Sequence, residues 1–191
     1  MWLSTSKRRL KVSQLLHALA IRLEDAVPNL DRDNILLPKT VLDSCCGLVI
    51  IEGDSDIIQF HHFSVEEFIR SHKSHGLFDA AECELMISRT LLTYMSLPEL
   101  EQARFKSRQA FEQLLVDLPL LDYCAFNWGN HVRKVKVDDI KDLALPFLNS
   151  QRHLMAISLA HSPKSPDHRK VRYLPLTIIV FLCRQTKVPL R

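Results

Sequence analysis

The stretch that decides the fold is residues 48–61, which read LVIIEGDSDIIQFH. Two β-branched apolar runs, Leu48–Glu52 and Ile57–His61, flank the turn-forming residues Gly53–Asp56. Such runs around a turn of Gly, Asp and Ser predict two antiparallel strands joined as a β-hairpin. Helical patterns lie on both sides of this hairpin, so we expect a mainly α fold of the α+β class.

Two helices are predicted before the hairpin. Apolar residues at helical spacing within Val12–Leu23 indicate an amphipathic helix, with Ser13 as its cap and Leu19 among its core-facing side chains. A short helix over Lys39–Cys45 follows and ends at Gly47, because glycine readily adopts the left-handed conformation that closes a helix. The order helix, helix, hairpin is typical of a winged-helix module.

A third helix is predicted to close this module. Ser64 and Glu67 have the spacing of a capping box, in which the Ser hydroxyl and the Glu carboxylate each accept from a backbone amide of the first turn. The helix then runs to about Ser71, and we expect its segment Phe63–Ile69 to share a core with the hairpin. His62 enters this helix and is expected to hydrogen-bond locally.

The pattern changes to helix only after residue 78. We therefore divide the chain into a winged-helix-like domain (1–75), an all-α segment (76–160) and a basic, disordered tail (161–191). The predicted helices of the all-α segment are Ala80–Met95, Arg104–Val116, Leu120–His131, Asp138–Leu148 and Gln151–Ala160.

The charge distribution weighs against a nucleic-acid-binding body. The tail holds seven Lys and Arg residues against Asp167, whereas the other 160 residues carry a net charge of −3. The predicted helix Pro38–Cys45 offers Lys39 as its only cation, and the hairpin turn is acidic. A DNA-reading helix normally supplies several basic and amide side chains. We therefore expect no nucleic-acid partner, and keep a stand-alone nucleic-acid-binding winged helix as the alternative.

The cysteine content and the hydropathy favour a cytoplasmic protein. Five cysteines form an odd set without the dense pairing of secreted domains. Basic residues interrupt the start of the chain, so no leader peptide is predicted. The longest apolar run, Leu174–Cys183, is about half the length that a membrane span needs.

Two stretches resemble a known family. Residues 44–49 (SCCGLV) and 60–69 (FHHFSVEEFI) are similar to the motif C-G-G-L-V … L-V-H-[FY]-[ST]-V-x-E-[YF]-L. Residues 119–133 (PLLDYCAFNWGNHVR) are similar to P-L-L-x-Y-A-A-x-x-W-x-x-H-[VA]-R. Both resemble the region after the nucleotide-binding domain in fungal NACHT–ankyrin proteins, NLR-like STAND NTPases, where it is described as a GPI inositol-deacylase-type winged-helix domain. The resemblance covers about residues 3–160.

The resemblance implies a non-catalytic role in signal transduction. In that family an upstream NACHT ATPase binds nucleotide and downstream ankyrin or other repeats bind partners, while the winged helix packs between them. The implied partners are such protein domains, in the same chain or in trans, with no cofactor and no membrane.

The chain departs from this family in three ways. It contains neither the phosphate-binding motif G-x-x-x-x-G-K-[ST] nor an ankyrin motif such as T-P-L-H-x-A. The first winged-helix helix is also short, within Met1–Lys7. An incomplete gene product or a remnant without independent function is therefore a further alternative.

Several histidine and cysteine residues could be interpreted as parts of a metal site or a catalytic site. His61, His62, His72 and His75, with Cys83, lack the spacing of a zinc site. Pairing Cys46 or Cys124 with His62 or His131 would give a thiol nucleophile and its base, but such a pair also needs an orienting group and an oxyanion hole. We therefore predict no catalytic, cofactor or metal site, and keep a thiol hydrolase as the third hypothesis.

The residues singled out are structural. Cys46 and Gly47 close the short helix, with Cys46 expected as a small core residue. Trp128 and Tyr123 are expected in the core of the helical segment. A partner surface formed by Trp128, His131 and Arg133 is the alternative, and Lys134 is expected on a solvated helix end.

Overall fold

The computed structural model describes residues 1–24, 27–71, 79–102 and 108–150. It is mainly helical with one small sheet. The elements are α1 (Trp2–Thr5), β1 (Leu10–Lys11), α2 (Val12–Leu19), α3 (Pro38–Ser44), β2 (Val49–Glu52), β3 (Ile57–Phe60), α4 (Phe63–Ser71), α5 (Ala80–Met95), α6 (Pro98–Gln102), α7 (Arg108–Asp117), α8 (Leu120–Val132) and α9 (Lys141–Asn149). Single turns of 3-10 helix cover Arg32–Asn34 and Val137–Asp139.

The hairpin forms where the sequence predicts it. β2 pairs with β3 in antiparallel register from Val49 opposite Phe60 to Glu52 opposite Ile57. A third strand, β1, was not predicted; it pairs with the other side of β3, so the sheet order is β1-β3-β2. With only two residues, β1 is too short to produce an alternating pattern.

The start of α2 differs from the prediction. The chain passes directly from β1 into the helix at Val12, and the Lys11 backbone N–H donates to the Gln14 side-chain oxygen at 3.1 Å. Ser13 therefore lies inside the helix and is exposed, so its predicted role as the cap is wrong. Leu19, predicted to face the core, ends the helix on the solvent side.

The short helix α3 has the predicted bounds within one residue. It ends in a turn in which Cys46 and Gly47 both adopt positive φ values, 49° and 78°. Positive φ is the conformation that favours Gly at the end of a helix, and a non-glycine residue adopts it at a cost. Cys46 is exposed in this turn, so its predicted place in the core is wrong, whereas Cys45 packs against the core.

The predicted capping box at α4 is wrong. The helix begins at Phe63, one residue before Ser64, so His62 occupies the position before the first helical residue. The His62 ring nitrogen Nδ1 accepts from the Ser64 backbone N–H at 3.3 Å and lies 2.9 Å from the Ser64 hydroxyl. The Ser64 hydroxyl thus faces His62 rather than the backbone amide of Glu67.

The helical segment follows the sequence pattern closely. α5 has the predicted bounds, and the side chain of Asp79, the residue before the helix, accepts from the Ala81 backbone N–H at 2.9 Å. α8 and α9 lie within three residues of their predictions. The short helix α6 was not predicted. Predicted helix Gln151–Ala160 and tail 161–191 lie outside the described residues.

The hydrophobic core is continuous from the first to the last described element. α5 packs along α8, and α1 and α2 pack against these two helices. The fully buried side chains include Leu10 and Ile58 of the sheet as well as Leu91 and Tyr94 of α5. The predicted core contribution of Phe63–Ile69 is wrong, because α4 buries none of its residues. The predicted boundary between residues 75 and 76 falls outside the described residues.

Among the residues described, no helix combines the length and the apolar character that crossing a bilayer requires.

Candidate functional site

A buried carboxylate, Glu84, lies on the inner face of α5. It shares that face with Ile87, Ser88 and Leu91, which follow it at the helical spacing of three, four and seven residues and are all buried. A lone carboxylate in such a position would lose its hydration, which is costly unless other groups replace the water. The free-energy cost of burying this carboxylate therefore depends on its hydrogen-bond partners.

Three side chains from distant parts of the chain supply those partners. The Glu84 Oε2 atom lies 2.5 Å from His131 Nδ1. The Oε1 atom accepts from Lys7 Nζ at 2.9 Å and from Lys134 Nζ at 2.7 Å. We call Lys7, Glu84, Tyr123, His131 and Lys134 the Glu84 cluster. It joins the loop after α1, the helix α5 and the end of α8.

The proton positions in this cluster follow from its geometry. The His131 side chain has no exposed surface, and its Nε2 atom lies 2.8 Å from the Tyr123 hydroxyl. A neutral histidine carries one N–H, which Glu84 requires as a donor at Nδ1, so Nε2 accepts from the tyrosine O–H. The tyrosine oxygen then accepts from the Lys7 backbone N–H at 2.9 Å.

Burial and charge set the pKa values of the cluster. Burial lowers the pKa of His131, and the hydrogen bond to Glu84 opposes this effect without reversing it. Burial alone would raise the pKa of Glu84, but hydrogen bonds from Lys134, Lys7 and His131 lower it overall. Burial raises the pKa of Tyr123. At neutral pH, Glu84 is therefore ionised between two lysines, while His131 and Tyr123 are neutral.

This arrangement can hold protons and charges, but its carboxylate, imidazole and phenol groups are buried. A carboxylate, an imidazole and a hydroxyl in sequence form the kind of relay that hydrolases use. In this chain the hydroxyl end is Tyr123, which is buried and already accepts a backbone N–H. The cluster therefore fixes the loop after α1 against the helical segment.

The sequence-predicted core residues lie next to the cluster. Trp128 is buried and packs edge-to-face on Phe147 of α9, with ring centroids 5.2 Å apart. Tyr123 packs edge-to-face on Trp2 at 6.4 Å. The alternative surface of Trp128, His131 and Arg133 is not present, because the first two are buried. Lys134, expected only in solvent, directs its partly exposed side chain to Glu84.

The cysteine–histidine pairs considered for the thiol-hydrolase hypothesis do not form in the described structure. Cys46 Sγ lies 4.0 Å from the Ser44 carbonyl oxygen, and His62 bonds to Ser64. Cys124 is fully buried, and burial raises its thiol pKa well above the usual value. In the ranges that the structure describes, no group of three metal-ligating side chains comes together.

A second region, formed by α3, the hairpin and α4, differs by leaving apolar side chains exposed. Neither α3 nor α4 contains a buried residue. Phe63 is 72% exposed, Phe68 55% and Leu48 50%. Large apolar side chains that are exposed to solvent are candidate contacts for a partner. We call Leu48, Phe63 and Phe68 together the apolar face. Glu67, predicted as a capping residue, is exposed on α4 beside it.

A groove opens beside this face. The loop Ser6–Arg9, the strand β3 and the helix α4 enclose a volume of about 440 Å³. Its floor includes the buried Leu10 and Ile58, and Arg9, His62 and Arg70 are among the side chains of its rim. We call this the α4 groove.

Sequence reasoning missed both the cluster and the groove. One available signal was Glu84 itself, a charged residue at a core position of a strongly periodic helix. The groove had no comparable signal, because its walls come from three segments that are far apart in the sequence.

No protein-family model, no curated protein and no solved structure matches this chain.

Proposed function

We propose that this chain is a cytoplasmic, non-catalytic regulatory module of winged-helix type. It couples a NACHT-type nucleotide-binding domain to a partner-binding repeat region by packing between them. The main support is the contrast between a helical core in which Glu84 has three hydrogen-bond donors and the helices α3 and α4, which bury no residue. Phe63 and Phe68 of α4 are exposed and are therefore open to a neighbouring domain.

The element order supports the winged-helix part of the proposal. Helix α1, strand β1, helices α2 and α3 and the hairpin β2–β3 follow one another within 60 residues, and β1 adds to the hairpin. The sheet thus ties the first strand to the hairpin and holds α2 and α3 between them. This order agrees with the family that residues 44–49 and 60–69 resemble.

The apolar face supports the packing part of the proposal. Interfaces between proteins are enriched in aromatic side chains at their centres. Phe63 and Phe68 lie on one helix with most or half of their surface exposed. Burying a Phe side chain on a partner would contribute about 1.5–3 kcal/mol. This face is thus the contact that a neighbouring domain would use.

Association with a nucleotide-binding domain tests the proposal directly. The NACHT-type domain encoded nearest to this reading frame would be produced separately and titrated with the chain in the ADP and ATP states. We expect binding whose strength depends on the nucleotide. Phe63→Ser should weaken it, whereas Val116→Ser, at a side chain that is 71% exposed on α7, should not. Absence of binding in both nucleotide states would overturn the proposal.

The transcript provides an independent test. We expect coding sequence for G-x-x-x-x-G-K-[ST] upstream of this region and for repeats downstream in the same or a neighbouring frame. A transcript that lacks both would favour the remnant instead.

The exposure of α3 is the observation that favours the alternative, a nucleic-acid-binding winged helix. A recognition helix must present a free face to the major groove, and α3 has no buried residue. Its single cation, Lys39, and the acidic hairpin turn oppose this role. Binding to duplex DNA at several salt concentrations, with and without residues 161–191, separates the two. Salt-sensitive affinity that survives removal of the tail would favour DNA binding.

A further inference from the structure

The α4 groove has the size of a binding site. Its volume of about 440 Å³ lies within the range of roughly 300–1,000 Å³ that ligand sites occupy. The floor is apolar at Leu10, Ile58 and Phe60, and Phe63 stands exposed at the rim. An occupant therefore needs an apolar group of the size of a large side chain.

The rim of the groove has an excess of positive charge. Lys7, Arg8, Arg9 and Arg70 line it, together with a single carboxylate, Glu66. Three of these cations are already paired: Lys7 with Glu84 at 2.9 Å, Arg8 with Asp122 at 2.6 Å and Arg70 with Glu66 at 2.7 Å.

Arg9 is the cation that remains. Its guanidinium is exposed and has no ion pair or hydrogen bond within the described ranges. A guanidinium presents two parallel N–H donors that match a carboxylate. The uncompensated charge of the groove is thus of the kind that recognises a carboxylate.

His62 supplies a second donor. Its Nδ1 atom accepts the Ser64 backbone N–H, so the proton of the neutral ring lies on Nε2. This places a further N–H donor among the residues that line the groove.

We propose that the α4 groove binds an acidic peptide segment of a partner protein, with a carboxylate on Arg9 and a large apolar side chain on the floor. This inference rests on the proposed packing function only in taking a polypeptide as the occupant. It adds the charge and the kind of side chain that a partner segment would need in the groove, which the apolar face alone does not specify.

The shape and charge of the rim favour a peptide over a lipid surface. The groove is concave, whereas a bilayer presents a broad surface that a convex or flat face contacts. The carboxylates of Glu66 and Glu67 on α4 would also approach anionic headgroups and be repelled by them. A peptide in the groove also meets Glu66, but that carboxylate is already paired with Arg70, whereas Glu67 does not line the groove.

Three labelled peptides test the charge preference on the full chain. They consist of alternating Glu and Leu, Gln and Leu, or Lys and Leu, and binding is followed by fluorescence anisotropy. We expect saturable binding of the Glu/Leu peptide that weakens as salt is added, because salt screens exposed charges. The Gln/Leu peptide should bind more weakly, and the Lys/Leu peptide more weakly still.

Arg9→Glu tests the assigned residue. It should lower the affinity for the Glu/Leu peptide by about tenfold or more, the effect of losing a charge-assisted hydrogen bond. Lys39→Glu makes the same change of charge on exposed α3, away from the groove, and should leave the affinity within about twofold. Both variants should keep the melting temperature of the parent, since both side chains are exposed.

Several outcomes would overturn the inference. These are no saturable binding, equal binding of the acidic and basic peptides, or an equal effect of the two variants. Binding to phosphatidylserine vesicles that Arg9→Glu abolishes, without peptide binding, would assign the groove to a lipid surface instead. If the nucleotide-binding domain associates with the chain but the peptides do not, this inference fails while the proposed function stands. If the peptides bind but the nucleotide-binding domain does not, the proposed function fails while the groove keeps its assigned ligand.

Discussion

The helical segment and the region of α3, the hairpin and α4 differ in how completely they satisfy their own side chains. In the helical segment, Trp128 has an aromatic neighbour and the carboxylate of Glu84 has three donors. In the other region, Phe63 faces solvent and α4 buries nothing. A segment whose groups satisfy one another contributes stability, whereas one with exposed aromatic side chains gains free energy only when something covers it. The same chain therefore combines a closely packed core with a region that leaves large apolar side chains exposed.

Truncation of an aromatic side chain in each region gives the largest expected contrast. Trp128→Ala should destabilise the protein by about 3–5 kcal/mol, because it removes a buried ring and leaves a cavity. Phe63→Ala should change the free energy of unfolding by less than about 0.5 kcal/mol, since its ring is exposed. Urea denaturation of both variants measures the difference. Similar losses in the two would show that the regions are not distinct.

Removal of the carboxylate at the centre of the Glu84 cluster should have the next largest effect. Glu84→Ala leaves His131 buried without its acceptor and separates Lys7 from its charge partner. Breaking a buried ion pair costs about 3–5 kcal/mol, and we expect about 2–3 kcal/mol because Lys134 is partly exposed. Glu82→Ala, at an exposed position of the same helix, is the matched control and should cost less than about 0.5 kcal/mol. Equal melting temperatures for the two variants would contradict the role of the cluster.

Acidification should weaken the helical segment through the same cluster. The pKa of His131 is lowered below its ordinary value of 6.5, so the unfolded chain binds a proton before the folded chain does. Stability is therefore fully present above pH 6.5 and is lost as the pH falls towards the folded-state pKa. Glu84, whose pKa is lowered from 4.5, adds a further loss at more acidic pH.

The free energy of unfolding measured between pH 7.5 and pH 5 tests this expectation. One group contributes at most about 1.4 kcal/mol per pH unit. His17 shifts in the same direction through burial and Arg32, so His131→Gln should reduce the slope without abolishing it. A slope for His131→Gln equal to that of the parent chain would exclude His131 as a contributor.

The smallest expected effect distinguishes the two candidates for the cap of α4. Because His62 accepts the Ser64 backbone N–H, His62→Ala should destabilise by about 0.5–1 kcal/mol. Ser64→Ala removes a hydroxyl that contacts only the exposed His62 ring and should cost less than about 0.5 kcal/mol. A larger loss of stability for Ser64→Ala than for His62→Ala would favour the capping box that the sequence predicted.

The successes and failures of sequence reasoning have a common physical basis. The bounds of α5 and the position of the hairpin follow from hydrophobic periodicity and turn residues, which act over a few neighbouring positions. The strand β1 has two residues, and its existence depends on β3, which lies almost 50 residues away. The start of α4 depended on a choice between two nearby polar residues, His62 and Ser64, which the local pattern alone does not decide.

The candidate sites show the same limit more strongly. Sequence spacing placed Trp128 and Tyr123 in a helical core but gave no reason to connect Lys7 with Glu84. That contact joins positions 77 residues apart, and the backbone of Lys7 meets Tyr123 across 116 residues. Arg9 became a candidate recognition residue only because its neighbours Lys7 and Arg8 are paired elsewhere.

The sequence by itself determined most of the helices, the hairpin, the turn at Gly47 and the division between an acidic body and a basic tail. These features depend on interactions between residues close together in the chain. The tertiary structure decided which apolar faces are covered, which charges are neutralised and where a groove remains open. Burial and charge pairing depend on residues brought together from distant segments, so only the folded chain fixes them.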